Sequence, residues 1–457
     1  MSVPAVAGLA GAVRGRVVER GGKGYDEARA LFNAMNDKSP AAIAYCVDEQ
    51  DVAAAIRFGK ERGLRLAVRC GGHHGAGLGS VDDGLVIDLS AMNEVIVEPE
   101  ARIARVQGGV LLKDLVAATH EHGLTVPVGI IGTTGVGGLT LGGGVGHLTR
   151  GLGLTIDSLV AATVVLADGS VVQTDAEREP DLFWAIRGGG GNFGIVTSFS
   201  FRCHEVSTVL AGPVFYDMDD AAEVLRWYRE FLPAQPDELS GFFAFLTVPP
   251  GPPFPEELHM RKVCGIVWTQ AAEDESPALR EARAFGTPLM DGIAPLPLPM
   301  WNTAFDALYA PGDQWYWRGE FVKEIPDAAV EQHTSYGAAL PTWKSTMHLY
   351  ASDGAAARVA SDATAWAYRD AVWTQVIVGV DPDPANASLI RDWARNYSDA
   401  LRPYTLGTGY VNFQEAQESD DKVRAMYGAN YDRLAKIKTA FDPDNIFNVN
   451  QNIKPAS

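Results

Sequence analysis

Cysteine is scarce in this chain. The four residues, Cys46, Cys70, Cys203 and Cys264, are scattered over 457 positions without a CxxC pair, so neither a zinc site nor a disulfide framework is expected. Positive charge is also short. Lys and Arg total 38 against 57 Asp and Glu, a formal net charge of −19. Phosphate-backbone binding needs clustered Lys and Arg, so no nucleic-acid partner is expected; acidity of this kind mostly serves solubility. There is no apolar run of the roughly 18 residues a membrane span needs, so no membrane partner is expected either. Residues 1–12 are apolar and small, but Arg14 and Arg16 follow them. A secretory signal has the opposite order, and the cytoplasm is the expected location. Three nucleotide and hydrolase signatures are missing as well. No GxGxxG opens a helix after the first strand of a βαβ unit, and neither GxxxxGKS/T nor GxSxG occurs, which removes the ordinary Rossmann, P-loop and α/β-hydrolase readings.

What is present falls into three regions, as expected of a chain too long for one hydrophobic core. In residues 1–205, short apolar runs alternate with helical patterns and turn signals. Strands are expected at 41–47, 64–68, 85–89 and 103–106, and helices at 49–62 and 111–122, stopped by Gly63 and Gly123. Asp168-Gly169 marks a hairpin between strands at 160–166 and 170–174. Residues 206–408 hold most of the Pro and Trp. Strands at 239–246, 314–321, 346–350 and 372–378 alternate there with helices at 219–231 and 386–401, the pattern of an α+β unit on a mostly antiparallel sheet. Residues 409–457 are too few to fold alone and are expected to pack back on the first region.

The chemistry lies in glycine clusters. Arg69-Cys70-Gly71-Gly72-His73-His74-Gly75, with Gly77 just beyond, follows a strand. Its paired glycines can turn backbone N–H groups toward one anionic point, with Arg69 adding charge; a tight turn with a surface histidine would leave the same trace. The second cluster, residues 129–153, includes Gly135, Gly138, Gly142, Gly144 and Gly146. So many glycines cost backbone entropy. Interleaved apolar residues, Leu139 among them, separate the segment from a polar linker and indicate backbone pressed on a large ligand. The third, residues 187–196, runs through Gly194, Ile195 and Val196 into a strand.

These motifs resemble the berberine bridge enzyme-like branch of the vanillyl-alcohol oxidase superfamily, whose FAD-binding domain is of the p-cresol methylhydroxylase type. The match rests on R-x-G-G-H at residues 69–73, GVGGxxxGGGxGxLxRxxGLxxD at 135–157 and RGGGGNFGIVT at 187–197. It continues in Y-x-N at Tyr410 to Asn412 and in a C-terminal signature that includes Asn450. The resemblance implies an α+β fold: a two-part FAD-binding domain (1–205 completed by 409–457) with an inserted substrate domain (206–408), an antiparallel sheet flanked by helices. It also implies FAD bound covalently through His73. Many members add a second bond from a cysteine, but Ile131 stands at that position here, so a single histidyl link is expected. Thr133 and Thr134 join the cofactor loop. Thr134 occupies a position where valine goes with oxidases and leucine with dehydrogenases, and Thr is about the size of Val. This favours molecular oxygen as the electron acceptor.

The expected reaction removes a hydride from a small organic substrate, with a base taking the adjacent O–H or N–H proton. Tyr410 is the first candidate base, and its pKa would have to be lowered from about 10. On the strand at 372–378, Trp373 and Gln375 share a face by alternation, and Tyr368 and Arg369 precede it; all four are candidates for the site. His74 and His147 lack ligand-spaced partners, so they are read as contacts around the flavin loop and no metal is expected. A dehydrogenase with another acceptor and a non-catalytic flavin-binding protein are the alternatives. Oligomeric state is open.

Overall fold

The computed structural model describes residues 6–415 and 419–456. Its strands form three sheets. In the first, Ala42–Tyr45, Leu85–Asp88 and Leu66–Arg69 run parallel and Val17–Glu19 pairs antiparallel at one edge. Leu85–Asp88 is buried throughout, which explains the apolar run Leu85-Val86-Ile87; the buried Asp88 that ends it is paired with Arg69. The helix Glu49–Glu61 starts where the Asp48 side chain accepts from Asp51 N and stops at Gly63, whose φ of 63° suits glycine.

The second sheet is antiparallel, in the order Val95–Glu98, Ile103–Gln107, Ile195–Arg202, Leu159–Val165, Val171–Asp175. The third has eight antiparallel strands, all from residues 208–381. Thr346–Ala351, Trp373–Asp381 and Gln314–Val322 lie side by side toward one edge. Two of its long strands, Thr208–Asp217 and Lys262–Gln270, were not anticipated from the sequence.

Alternation sorts this large sheet into two faces. Phe243, Phe245, Leu349, Trp373 and Ile377 pack with helices Ala221–Phe231 and Ala387–Leu401. Phe242, Tyr350, Val376, Val378 and Trp315 share a core with the second glycine cluster. One face of the sheet therefore lies under helices and the other faces the glycine-rich layer. The helix Tyr431–Phe441 brings Lys438, fully buried, to Asn192 O (2.6 Å) in the third glycine run. Among the described residues, no helix is long and apolar enough to cross a membrane.

Candidate active site

A cavity of about 340 Å³ lies between the glycine-rich layer and the large sheet. Gly71 and Gly135 meet backbone to backbone. A Cβ on Gly71 would stand 2.4 Å from Gly135 N, and one on Gly135 would stand 2.3 Å from Gly71 N and from Cys70 Sγ. Gly138, on the helix Val136–Gly142, and Gly191 differ: both line the cavity, yet a Cβ on either meets nothing within 4 Å. Protein packing does not require glycine at these two positions, so the open space beside them is room for a ligand lying against the backbone.

Arg69, Cys70, Gly72, His73, His74, Thr134, Leu139, Gly194, Ile195, Val196, Asn412 and Asn450 line the same cavity. The rest of the expected cofactor loop stands just behind it. Gly75 O accepts from Asn33 and Asn36, a Cβ on Gly77 would collide with Asn36, and Gly142 is pressed against Asn412. Gly146 N donates to Thr149, and Thr133 reaches His73. His147 is boxed by Trp301 and Phe242. Arg69 corrects one expectation. Its guanidinium is not free charge, because Nε donates to Asp88 Oδ2 at 2.5 Å and Nη2 to Ala28 O; Nη1 alone is buried without a partner.

His73 stacks on Phe32, with ring centroids 3.9 Å apart. Its Nε2 lies 3.0 Å from Thr133 Oγ1 and its Nδ1 3.4 Å from Thr134 Oγ1. Burial pushes its pKa down to about 4, so the imidazole is neutral at neutral pH with a lone pair available. The turn that carries both threonines is held by Asp306, whose Oδ1 accepts from Gly132 N at 2.7 Å. Cys70 packs behind the glycines, and burial raises its thiol to about 12.

Of the proposed catalytic residues, only Tyr410 reaches the cavity. Its phenolic oxygen accepts from Gly144 N at 3.0 Å and from Asn412 Nδ2 at 2.7 Å. These donors favour the phenolate, but burial outweighs them and the pKa moves up, not down. Trp373 and Gln375 are on the other face of their strand. Trp373 packs on Tyr228 and Gln375 is fully buried, while Val376 and Val378 are the residues that look into the cavity. Arg369 forms a bidentate pair with Asp157, and Tyr368 donates to Ala425 O and stacks on Phe321. These four serve the scaffold. Trp315 and Trp317, whose alternating face could line a pocket but which the sequence reading assigns to the core, and Thr346, His348 and Tyr350, which it missed, supply much of the cavity's sheet wall. Alternation along 314–321 and 346–350 places each set on one face and was the available signal. His348 Nδ1 and Tyr350 Oη are 2.7 Å apart.

The FAD binding domain family matches residues 40–175, and the family described as berberine and berberine like matches residues 409–454. An FAD-linked oxidoreductase of Bacillus subtilis, YgaK, is 32% identical over 448 residues, covering 96% of this chain and 97% of that protein. The chain belongs to the berberine-like FAD-linked oxidoreductases. Other relatives of this oxidoreductase include the (R)-6-hydroxynicotine oxidase of Paenarthrobacter nicotinovorans, 37% identical over 201 residues, 44% of each chain. Among solved structures, 6-hydroxy-D-nicotine oxidase from Arthrobacter nicotinovorans superposes with a TM-score of 0.87 at 26% identity, covering 99% of this chain and 100% of that one. Xylooligosaccharide oxidase from Myceliophthora thermophila shares the fold, with a TM-score of 0.84 at 23% identity over 98% of both. The expected family and fold are thus borne out. The residues present also fit the cofactor: open glycine backbone at Gly138 and Gly191, and an unpartnered Arg69 nitrogen in the wall, suit a long flat dinucleotide with a charged centre.

Proposed function

We propose that this oxidoreductase is an oxidase carrying FAD on a single histidyl link at His73 and acting on an alcohol or amine carbon of a small organic substrate. FAD, when bound, takes the hydride and returns the electrons to oxygen as hydrogen peroxide. The observation that carries the reading is His73 itself: a neutral imidazole, fixed between Phe32 and two threonine hydroxyls, on the wall of a glycine-lined cavity. Thr133 engages Nε2 and orients the ring. Ile131 lines the cavity at the position where many family members carry a second attaching cysteine, and the Cys70 thiol is held protonated, which supports His73 as the sole attachment residue. Tyr410 and Asn412 brace the glycine helix against the cofactor, and the aromatic sheet wall excludes water from the reacting carbon. The oxidase names of several relatives and the modest bulk of Thr134 support oxygen as acceptor.

Acid precipitation tests the link. Yellow colour should stay with the pellet, and a His73→Ala variant should release it to the supernatant. Mixing substrate-reduced enzyme with air tests the acceptor. Rapid return of colour is expected, and reduced flavin persisting for minutes would make the protein a dehydrogenase instead.

A further inference from the structure

The cavity offers a charged substrate no partner. Of its lining side chains only Arg69 belongs to a residue type with a permanent charge; its Nε is paired with Asp88, and its one unpartnered nitrogen is the group assigned above to the cofactor's charged centre. His73 and His74 are held neutral by burial, His348 still more strongly, and the Cys70 thiol is protonated. A carboxylate or an ammonium entering this space would lose its hydration without gaining a counter-charge.

The wall is also poor in unused hydrogen-bonding groups. Thr346 already donates to Phe245 O. The Tyr410 oxygen is occupied by Gly144 and Asn412, and the Asn412 amide by Gly138 and Tyr410. A sugar with its ring of hydroxyls would leave most of them unpaired. What the wall does offer is aromatic surface from Phe32, Tyr309, Trp315, Trp317 and Phe413, three unpartnered polar atoms (the Trp315 and Trp317 indole N–H groups and Asn450 Oδ1) and one polar pair. In that pair, His348 Nδ1 and Tyr350 Oη are 2.7 Å apart, and His348 Nε2 makes no hydrogen bond among the described residues.

We propose that the substrate is a neutral aromatic alcohol whose hydroxyl proton is accepted by His348, with Tyr350 as its positioning residue. This rests on the oxidase reading and narrows its alcohol-or-amine choice to the alcohol. With Nδ1–H donated to Tyr350 Oη, the neutral imidazole carries its lone pair on Nε2, toward the open cavity; the bond made by one ring nitrogen fixes the role of the other. The alcohol loses its O–H proton to Nε2. Its C–H hydrogen leaves with both bonding electrons for FAD, and the C–O bond becomes a carbonyl. The positive charge gained by His348 is matched by the negative charge the hydride carries across the same cavity, which offsets the cost of an imidazolium in a dry site.

Binding separates the substrate class from turnover. The flavin-loaded enzyme is titrated calorimetrically at neutral pH with cumyl alcohol, which has no carbinol hydrogen to lose, and with benzoate, cumylamine and xylobiose. Cumyl alcohol should bind at least ~10-fold more tightly than the other three, since each leaves charged or polar groups unpaired. Tighter binding of any of those three overturns the assignment. For the proton acceptor, His348→Gln should lower kcat with benzyl alcohol by roughly 10²–10⁴-fold, while cumyl alcohol affinity changes less than about threefold. Added imidazole should partly restore His348→Ala, and Tyr350→Phe should lower kcat at unchanged cumyl alcohol affinity. An undiminished kcat in His348→Gln overturns the role, as does failure of imidazole to restore a His348→Ala protein that still holds flavin. Failure of the oxidase reading shows separately, as colourless protein or as slow reoxidation by air.

Discussion

Asn412 Nδ2 donates to the phenolic oxygen of Tyr410 at 2.7 Å, two residues away in the chain and at the mouth of the glycine helix. The same oxygen accepts from Gly144 N, so Tyr410 satisfies a buried backbone donor 266 residues distant. Its burial drives the phenol away from ionisation. Tyr410→Phe should therefore act mainly on stability. An unpaired Gly144 N–H costs about 1–3 kcal/mol, visible as a lower urea midpoint. The kcat should fall less than about tenfold, whereas loss of a general base costs roughly 10²–10⁴-fold. A fall in that larger range would return the base role to Tyr410.

Two glycines three residues apart should respond in opposite ways. A methyl on Gly135 would meet Cys70 Sγ and Gly71 N at 2.3 Å, so Gly135→Ala should destabilise the protein by about 1–3 kcal/mol or more through overpacking. A methyl on Gly138 meets only open cavity. Gly138→Ala should leave the flavin-free protein as stable, or more stable by roughly 0.5–1 kcal/mol from helix propensity, while lowering flavin uptake. Flavin-to-protein ratios beside thermal melts of the flavin-free forms give both readings; full flavin loading of Gly138→Ala would contradict the cradle.

The glycine runs were legible in sequence because interleaved apolar residues distinguish a buried cradle from a linker. The choice of face on the large sheet was not. Strand Trp373–Asp381 is buried on both sides, so it has no polar face to mark which way the pleat turns. Alternation puts Trp373 and Gln375 forward for a site, yet the plain side chains of Val376 and Val378 border it. His348 and Tyr350 were hidden for the same reason, on a strand buried at every position. Arg369 and Tyr368 were drawn in by nearness to that strand, but their partners Asp157 and Ala425 are remote in sequence. Alternation gives the pairing of residues on a face; only tertiary packing says what the face meets.

Acid should weaken this fold before it protonates most carboxylates. Burial pushes His147 and His333 from 6.5 down to about 3, and both lie outside the cavity lining. The unfolded chain takes up their protons near pH 6.5 and the folded chain does not until far lower. Stability is therefore full above about pH 6.5 and is lost as pH falls toward about 3. Urea midpoints measured between neutral pH and about pH 4.5 should fall steadily, and His333→Gln should reduce the slope by about one proton. An unchanged slope would mean that His333 titrates alike in both states.

Lys438 ties the C-terminal helix to the cofactor layer. Its ammonium donates to Asp442 Oδ2 (2.6 Å), Asn192 O (2.6 Å) and Phe447 O (2.9 Å), and both charged side chains are fully buried. Removing one member strands the other, so Lys438→Met should destabilise by about 3–5 kcal/mol. Asp442→Asn should cost less than Lys438→Met, because the amide oxygen can still accept from Phe447 N while Lys438 keeps its two carbonyl acceptors. Asn192 and its neighbours line the cavity, so Lys438→Met should also lower flavin loading even below its unfolding midpoint. Urea unfolding followed by flavin and by tryptophan signals separates the two effects. Loss of flavin colour at lower urea than the tryptophan transition is the expected result, and coincident transitions would show that Lys438 secures only the global fold.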